Sequence, residues 1–513
     1  MLIVTLNKAN YEYDVNSLVR AFYPGEMVTI LTPESTRNRI DQTEQEKRSR
    51  QEKGESLLSV CVELSDTGAF VQFVSGQFDG RNADAQDKNI SWKYDPDAPD
   101  RLASSPQIHY KHALKRFLYE ALRDYTGRKL PWGSLTGIRP TKIAYGMLDE
   151  HYEEKDILDT FEQFYQVSHE KALLGLDIAK REREILKNVH YEDGYSLYVG
   201  IPFCPTTCLY CSFTSYPIAG YRKMVDSYID CLVKEMEYVS KAYKGRILDS
   251  IYIGGGTPTT LEPDQLERLI LALKQNFDFS TVQEFTVEAG RADSITAEKL
   301  GVLYEQKVDR ISVNPQTMKQ KTLDIIGRRA SVEQVLEAYA LARKTGFTNI
   351  NMDLILGLPG ETQEDVQRTI QQVVDLAPDS LTVHSLALKR ASHLGRWIEE
   401  NGMEMLRNTD ATMRIASEGA RKLGMEPYYL YRQKNMSGNF ENVGYANPGK
   451  YGLYNILIME EKQTIVALGA GSITKRVFPD GRIERCDNVK DVTQYIERID
   501  EMIERKKELF TKK

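Results

Sequence analysis

The sequence predicts an α/β fold whose centre is an open, partial (βα)6 barrel. From residue 195 onward, six short apolar runs alternate with amphipathic helical stretches, a pattern typical of parallel βα units. The predicted strands cover 196–201, 250–253, 284–288, 310–313, 349–356 and 380–384, and the predicted helices cover 221–243, 263–275, 297–306, 332–345 and 363–376. Right-handed connections would bring the carboxyl ends of all six strands to one mouth, where the active sites of barrels lie.

The chain on either side of this barrel has different patterns. Residues 1–165 contain strand-like runs at 2–6 and 27–31, a hairpin at 57–64 and 69–74, and a helical pattern from 109 onward. Residues 33–55 are rich in Arg, Lys, Glu and Gln and nearly free of apolar residues, which predicts a solvated loop or a surface helix. The predicted domains are an α+β and helical region at 1–165, a helical linker at 166–194, the barrel at 195–395, and a smaller C-terminal α/β domain at 396–513 that contacts substrate or forms a lid.

The composition predicts a cytoplasmic enzyme with no membrane span. The chain has 513 residues, of which 41% are hydrophobic and 27% charged, and its longest apolar runs fall well short of the ~18–20 residues that cross a bilayer. The first ten residues lack the basic start and apolar core of a signal peptide. Three of the six cysteines lie in one motif and three are scattered, so no disulfide framework is expected. A net charge of −7 disfavours broad nucleic-acid binding.

A C-x3-C-x2-C motif, formed by Cys204, Cys208 and Cys211, directly follows the first barrel strand. A [4Fe–4S] cube needs four thiolates to ligate every iron, so three cysteines leave one iron open to a small molecule that binds through an amine and a carboxylate. The alternatives are a zinc site or unrelated thiols. Zinc requires a fourth ligand at short range, and no Cys or His lies within ten residues of either end of the motif.

Polar residues also follow the other barrel strands. Gly254-Gly255-Gly256 ends the second strand, and such a run either lets the backbone approach a ligand or forms a tight turn. Glu288 ends the third strand, where its carboxylate suits an ammonium group or ribose hydroxyls, unless water solvates it. Gln316 and Arg328 follow the fourth strand. Asp353 lies inside an apolar strand, where a charge is costly unless it is paired, so it is the best single candidate for a polar ligand contact.

These motifs occur in an order that resembles the radical S-adenosylmethionine (SAM) superfamily, and within it the oxygen-independent coproporphyrinogen III oxidase (dehydrogenase) family. The motifs are Tyr198-Val-Gly-Ile-Pro-Phe-Cys204, Gly254-Gly-Gly-Thr-Pro258, Arg310-Ile-Ser-Val-Asn-Pro-Gln316, Gly327-Arg328 and Asn351-Met-Asp-Leu-Ile-Leu-Gly-Leu-Pro359. The chain is most similar to the HemZ branch, which carries an extra N-terminal region. The similarity is strong over about 195–390 and weaker over 420–475, and residues 1–165 lie outside it.

The resemblance implies cofactors, site residues and a reaction. It implies a [4Fe–4S] cluster on the three cysteines, and one or two molecules of SAM. The implied contacts to SAM on the open iron are Tyr198, Gly255 and Glu288, and those to a second SAM are Tyr210, Gly256, Thr257, Gln316, Arg328, Asp353, Ala387 and, as a weaker match, Ile473. The implied reaction uses a 5′-deoxyadenosyl radical to decarboxylate two propionates of coproporphyrinogen III oxidatively, giving protoporphyrinogen IX. An electron donor such as flavodoxin or ferredoxin is implied as well.

Two positions depart from the oxidase pattern. Phe213 stands where the oxidase has a further cysteine, and Gly200 stands where it has histidine. A phenylalanine at that first position occurs in the haem-chaperone branch of the family. The leading hypothesis is therefore a radical SAM oxidoreductase of haem (porphyrin) biosynthesis. The second is a haem chaperone that keeps the cluster and SAM without decarboxylating, and the third is a radical SAM enzyme that modifies RNA, although no RNA-binding motif is evident.

A tetrapyrrole substrate would need cations for its propionates. Lys389-Arg390, after the sixth strand, and Arg432 are candidates, or else they are solvated surface charges. His384 ends the sixth strand and either faces the site or is structural. In the N-terminal region, the Gly- and cation-rich segment from Trp132 to Lys142 either contacts an anionic ligand or joins two helices.

Overall fold

The chain forms two structural units. The computed structural model describes residues 1–24, 26–52, 57–75, 87–100, 102–137, 139–389, 392–433 and 436–512. The first unit comprises Met1–Leu176 and Arg432–Phe440, and the second comprises Asp177–Tyr431 and Glu441–Lys513. Arg390 lies outside the described residues, so the prediction made for it stays a prediction.

The first unit is built on a five-stranded sheet in the order β2-β1-β3-β4-β5. Its strands are β1 (Leu2–Leu6), β2 (Val28–Leu31), β3 (Leu58–Ser65), β4 (Gly68–Ser75) and β5 (Lys88–Lys93). β1 is parallel to both of its neighbours, whereas β3, β4 and β5 form an antiparallel meander. The predicted strands and hairpin are present, and β5 is an additional strand whose alternating exposed pattern gave little apolar signal.

Helices cover this sheet and continue beyond it. They are α1 (Glu12–Phe22), α2 (Arg37–Glu52), α3 (Pro106–Thr126), α4 (Thr141–Asp149), α5 (Glu154–Asp159) and α6 (His169–Ile185). Val15 and Leu18 of α1 pack with Leu114 and Leu118 of α3 into the core of the sheet. The charged segment forms the surface helix α2, in which Thr43 is the one buried residue.

The second unit contains an eleven-stranded sheet whose centre is the predicted barrel. The six parallel barrel strands are β6 (Gly194–Ile201), β9 (Ile247–Gly255), β10 (Glu284–Glu288), β11 (Arg310–Ser312), β12 (Ile350–Leu356) and β13 (Ser380–Ser385). Between β6 and β9, a short parallel pair forms from β7 (Phe203–Cys204) and β8 (Tyr216–Pro217). The predicted α/β class and partial barrel are confirmed.

The barrel helices begin at residues that cap them. They are α7 (Val225–Ala242), α8 (Pro263–Asn276), α9 (Ala297–Glu305), α10 (Gln320–Ile325), α11 (Val332–Thr345) and α12 (Gln363–Leu376). Ser331 and Thr362 cap α11 and α12, each with its hydroxyl accepting from the backbone of the first turn. Such caps satisfy N–H groups that have no partner inside the helix, which explains why the predicted starts of these helices agree with the structure.

The C-terminal segment extends the barrel sheet on both sides. β14 (Glu426–Tyr431) and β15 (Asn442–Ala446) continue it beyond β13, and β16 (Thr464–Leu468), β17 (Ile473–Val477) and β18 (Ile483–Asp487) continue it beyond β6. The accompanying helices are α13 (Leu394–Asn401), α14 (Asp410–Lys422), α15 (Leu453–Glu460), α16 (Val492–Glu497) and α17 (Ile499–Thr511). The segment predicted as a smaller C-terminal domain therefore shares its sheet with the barrel.

A buried ion pair ties α17 to α7. Glu235 and Lys506 are both fully buried, with 2.6 Å between the Glu235 Oε1 and Lys506 Nζ atoms. Asn488 and Tyr495 also donate to the Glu235 carboxylate, at 2.8 and 2.6 Å. The backbone N–H of Gly469 completes the set at 2.9 Å. Both carboxylate oxygens are thus hydrogen-bonded, as a buried charge requires.

Within the part of the chain that the structure describes, none of the helices has the combination of length and apolar composition needed to cross a bilayer.

Candidate active site

The three motif cysteines lie on a loop that the β7–β8 pair closes at the mouth of the barrel. Phe203 pairs with Tyr216, and Cys204 pairs with Pro217. The N–H of Cys211 donates to the carbonyl of Cys208 at 3.1 Å. Cys208 is buried, whereas Cys204 and Cys211 are half-buried. Burial raises the pKa of the Cys204 and Cys211 thiols, so a positive partner such as iron is needed to hold them as thiolates.

The glycine-rich segment packs directly against this loop. The N–H groups of Gly256 and Thr257 donate to the carbonyls of Ile201 and Phe203, at 2.8 and 2.7 Å. A Cβ on Gly256 would lie 2.5 Å from the Phe203 carbonyl oxygen, so only glycine fits there. The Thr257 hydroxyl then donates to the Cys204 sulfur at 3.5 Å.

Arg291 is a buried cation beside the cysteines that sequence reasoning missed. Its guanidinium contacts the Cys208 sulfur at 3.7 Å and donates to the Thr206 carbonyl and hydroxyl at 3.0 and 2.9 Å. Asp293 holds the other edge of the guanidinium through two bonds, of 2.9 and 2.7 Å. The available sequence signal was its position three residues after Glu288, beyond the end of β10. Arg291 thus fixes the cysteine loop and places positive charge at a sulfur.

The turn before Arg328 holds the opposite side of the loop. The N–H of Leu209 donates to Ile326 at 3.0 Å, and the Thr206 hydroxyl donates to the Gly327 carbonyl at 2.9 Å. The Arg328 guanidinium reaches the Tyr210 hydroxyl at 3.4 Å. Burial raises the pKa of Tyr210, although Arg328 acts in the opposite direction. Two residues predicted to contact a second SAM, Tyr210 and Arg328, therefore touch each other.

The residues predicted to contact SAM on the open iron also lie together. A Cβ on Gly255, whose φ is +109°, would lie 3.1 Å from the Tyr198 hydroxyl oxygen, and a Cβ on Gly254 would lie 3.0 Å from the Glu288 Oε1 atom. The Tyr252 hydroxyl donates to Glu288 at 2.5 Å. Burial raises the pKa of Glu288 to about 7, against the opposing effect of the Tyr252 hydrogen bond.

Stacked tyrosines surround that carboxylate. The rings of Tyr198 and Tyr252 are 6.3 Å apart, and Tyr454 of α15 stacks on both, at 6.0 and 4.5 Å. Tyr252 and Tyr454 were not predicted as site residues, because apolar strand patterns and an isolated helix residue do not reveal which rings will meet. Together the three rings give Glu288 an apolar environment.

Asp353 interrupts the otherwise buried strand β12 and is hydrogen-bonded. Asn351 donates to it at 2.7 Å, and the His384 Nε2 atom lies 3.9 Å from Asp353 Oδ2. Although burial opposes it, hydrogen bonding and charge from His384 lower the pKa of Asp353 overall. The other ring nitrogen of His384 faces the Tyr431 hydroxyl at 3.3 Å. Asp353 is therefore an anion that Asn351 on its own strand and His384 on β13 hold in place.

Gln316 has an unusual backbone. Its φ is +68°, in the left-handed region that favours glycine, and such residues cost about 1–3 kcal/mol. The backbone conformation is fixed by a bridge to Leu354, with Gln316 donating to the Asp353 carbonyl and accepting from Ile355, both at 2.9 Å. This bridge brings Gln316 beside the strand that carries Asp353.

Several buried polar atoms at the β11 end of the mouth have no hydrogen-bond partner among the described residues. They are Ser312 Oγ, Asn314 Oδ1, Gln316 Oε1 and Arg328 Nε. Buried polar groups are nearly always paired in native proteins, and leaving one unpaired costs about 1–3 kcal/mol. A cluster of such atoms next to the cysteine loop fits a polar ligand that would supply the missing partners.

The remaining candidate positions make none of the contacts described above. Ala387 follows the end of β13 and is half-buried. Ile473 begins β17 opposite Asp487 and is 46% exposed. Burial lowers the pKa of Lys389. The contacts predicted for Ala387 and Ile473 with SAM, and for Lys389 with substrate, remain predictions. Phe213, which departs from the oxidase pattern, lies two residues after Cys211 and is 75% exposed.

Arg432 belongs to the first unit, where its guanidinium is already engaged. It donates to the carbonyl of Leu135 at 2.5 Å and to Asn439 at 2.8 and 3.2 Å, and it lies over the Trp132 ring at 5.8 Å. These contacts account for the burial of the cation without a substrate carboxylate, which weakens its candidacy as a propionate partner.

The donor set fits a cubane cluster with an adjacent polar ligand. Three thiols share one loop, and two of their sulfurs receive hydrogen bonds from Thr257 and Arg291, the kind of contact that tunes cluster potentials. In a cubane each thiolate binds a different iron. Among the described residues, no group of three or more His, Cys, Asp or Glu side chains is placed to share a single metal ion.

Comparisons with known proteins establish the class to which this protein belongs. Residues 198–373 match the family model described as the radical SAM superfamily, and this membership assigns the chain a [4Fe–4S] cluster and SAM as cofactors. The chain is 38% identical over 462 residues to the oxygen-independent coproporphyrinogen-III oxidase-like protein HemZ of Bacillus subtilis, covering 88% of this chain and 91% of the relative. The chain therefore belongs to the oxygen-independent coproporphyrinogen III oxidase-like family.

Relatives named for two different functions also match. The haem chaperone HemW of Lactococcus lactis is 33% identical, over 54% of this chain and 68% of the relative. The oxygen-independent coproporphyrinogen III oxidase of Escherichia coli is 33% identical, over 37% of this chain and 42% of the relative. The solved structure of the Escherichia coli coproporphyrinogen III oxidase HemN aligns with a TM-score of 0.49 at 24% identity, covering 63% of this chain and 73% of that one.

Proposed function

We propose that the protein catalyses the oxygen-independent oxidative decarboxylation of coproporphyrinogen III propionates in haem biosynthesis. The observation that carries this proposal is the cluster of unpartnered buried polar atoms beside the cysteine loop, which includes Gln316 Oε1 and Arg328 Nε. In this proposal Tyr198, Gly255 and Glu288, which lie together, contact one SAM. The atoms around Gln316 contact a second ligand.

Each part of the site has a proposed role. When bound, the cluster and SAM supply a one-electron reduction that yields a 5′-deoxyadenosyl radical for hydrogen abstraction. Cys204, Cys208 and Cys211 hold the irons, and Arg291 and Thr257 stabilise their sulfurs. Glu288 receives the cationic or hydroxyl-bearing part of SAM. Asp353, Gln316, Arg328 and Tyr210 hold the second ligand.

The substrate carboxylates need a cation and the reaction needs electron partners. Lys389 follows β13 and has a lowered pKa because of burial, and pairing with a propionate would raise that pKa again and favour the charged form. Loss of a β-hydrogen atom, CO2 and one electron converts each propionate to a vinyl group. An external electron acceptor receives that electron, and a flavodoxin- or ferredoxin-like donor supplies the reducing electron.

Anaerobic turnover tests this proposal. The reconstituted protein is mixed with SAM, a chemical reductant, coproporphyrinogen III and an electron acceptor, and the products are analysed by mass spectrometry. Two successive losses of CO2 plus two hydrogens, together with 5′-deoxyadenosine, are expected. Deoxyadenosine formation without decarboxylation would retain the radical chemistry and reject this substrate. The Arg291→Lys variant serves as a graded comparison, because it keeps the charge but loses the planar fork that binds Thr206 and Asp293.

A haem chaperone is the second candidate function, because one specific residue favours it. Phe213 is 75% exposed in the loop that carries the cluster, at a position where the oxidases have cysteine. An exposed aromatic ring suits contact with a flat macrocycle. Haem titration of the wild type and of Phe213→Ala tests this candidate. Stoichiometric binding by the wild type and weakened binding by Phe213→Ala would support it, provided the turnover assay shows no decarboxylation.

A further inference from the structure

A cavity of about 430 Å³ lies within the first unit, and none of the residues that line it is assigned above to the cluster or to SAM. It is bounded by α3, α4 and the loop after Trp132, and its lining includes Lys115, Ser134, Gly137, Lys142 and Gly146. This loop is the glycine- and cation-rich segment for which the sequence left open an anionic ligand or a simple joint between helices. The volume of the cavity is in the range of small-molecule sites, about 300–1,000 Å³.

The cavity contains a cation that the surrounding side chains only partly compensate. Lys115 Nζ donates to the Thr136 hydroxyl at 3.0 Å. Burial lowers its pKa, against the attraction of Asp14. Asp14 itself lies 3.0 Å from the Lys111 ammonium, so its charge is shared. Lys142 contributes a second ammonium to the lining.

The acidic groups near the cavity are engaged or exposed. Asp100 is almost fully buried and lies 2.9 Å from the His112 Nδ1 atom. Glu150, which lines the cavity, is exposed and is therefore well solvated. Lys115, which is half-buried, faces the space without an ion pair to any of the described residues, and an incoming anion would stabilise its charged form.

Besides these charged groups the lining has two polar residues, His112 and Ser134, and an apolar wall, and two glycines leave it open. Leu102, Leu135, Met147 and Tyr165 form the apolar wall. A Cβ on Gly137 or on Gly146 would meet no heavy atom within 4 Å. Gly146 lies inside α4, where glycine is unfavourable for the helix by about 0.5–1 kcal/mol, and its missing side chain enlarges the cavity.

We propose that this cavity binds a small organic anion, a phosphate or carboxylate group attached to an apolar body. Lys115 and Lys142 take the anionic group through charge-assisted hydrogen bonds, and the apolar wall holds the body. The site is separate from the radical chemistry proposed above, so each can fail without the other.

Binding is measured by calorimetry on the full-length reconstituted protein, with saturating SAM present to occupy the barrel mouth. The probes are adenosine 5′-monophosphate, naphthalene-2-carboxylate and inorganic phosphate, and adenosine is the uncharged match. Saturable 1:1 binding of either organic anion, with none of adenosine, is expected, and the preferred probe shows whether phosphate or carboxylate is recognised. If neither organic anion binds at millimolar concentration, the proposal is overturned.

Four variants locate the binding. Lys115→Met removes the charge and Gly146→Leu fills the cavity, and each is expected to weaken binding about tenfold or more. Lys129→Met, at an exposed position just beyond α3, and Gly146→Ala are the matched controls that keep binding. Unchanged affinity in Lys115→Met overturns the proposal. If Lys115→Met does not fold, the affinity of Gly146→Leu decides instead. SAM cleavage is expected to stay at the wild-type rate in all four.

Discussion

Two buried polar clusters in the barrel unit contrast in how well they are satisfied. Around Glu235, both carboxylate oxygens are hydrogen-bonded and Lys506 neutralises the charge. At the mouth, Gln316 Oε1 and Arg328 Nε are buried without a partner among the described residues. The first cluster is complete in the protein alone. The second is left for water or a bound ligand to complete.

The largest expected effect comes from removing one ligand of the cluster. Cys208→Ala is expected to abolish the ~400 nm absorption of the iron–sulfur centre and all SAM cleavage, because one iron loses its thiolate. Absorption spectra and deoxyadenosine assays after anaerobic reconstitution check this. Cys61→Ala, in the first unit, is the control that keeps both. A retained cluster and retained SAM cleavage in Cys208→Ala would contradict the central assignment.

Breaking the satisfied cluster is expected to affect stability. Lys506→Met leaves the Glu235 carboxylate buried without its counter-charge, which should lower the free energy of unfolding by about 3–5 kcal/mol. Urea unfolding measures the change. Lys507→Met is the matched control, since Lys507 is exposed and pairs with Glu504 at the surface, where ion pairs contribute little. Equal midpoints for the two variants would show that the buried pair contributes no more than a surface pair.

A change at the barrel mouth is expected to affect the use of SAM and not the stability of the fold. Asp353→Ala should lower kcat/KM for SAM about 10- to 100-fold, because it removes a charged hydrogen-bond acceptor. The cluster absorption and the unfolding midpoint should change little. Asp375→Ala, at the exposed end of α12, is the control. If Asp353→Ala unfolds the protein while SAM use by the folded fraction is normal, Asp353 is a structural residue.

The smallest expected effect is a pH dependence at Glu288. Burial raises its pKa from 4.5 to about 7, so between these values the folded state binds more protons than the unfolded state. The free energy of unfolding should therefore fall as pH rises through this window. SAM affinity should rise several-fold as pH increases through about 7, because only the ionised carboxylate attracts a cation. In Glu288→Gln the slope of SAM affinity should disappear, whereas the slope of stability should only become shallower, because burial also raises the pKa of Glu361 to about 7. Titrations of unfolding and of SAM binding measure both slopes.

The parts of the structure that depend on local patterns were predictable from the sequence. The six barrel strands, their helices and the cysteine loop agree with the predictions, because strand alternation, helix caps and motif spacing are encoded within short segments. Arg291 and Tyr252 were missed because their partners, Cys208 and Glu288, are distant in sequence. The pairing of β16 with β6 likewise joins segments more than 250 residues apart, and no local signal marks such a pairing.

The left-handed backbone of Gln316 has a consequence for how the mouth meets its ligand. Most residues avoid this conformation, and here the bridge to β12 holds it. The backbone is thereby preorganised: folding fixes the direction in which the Gln316 side chain leaves the chain, and a ligand does not have to reorder that backbone. Replacing Gln316 with glycine would relieve the backbone strain. The same change would also remove the side-chain amide, and folding stability and ligand affinity would move in opposite directions.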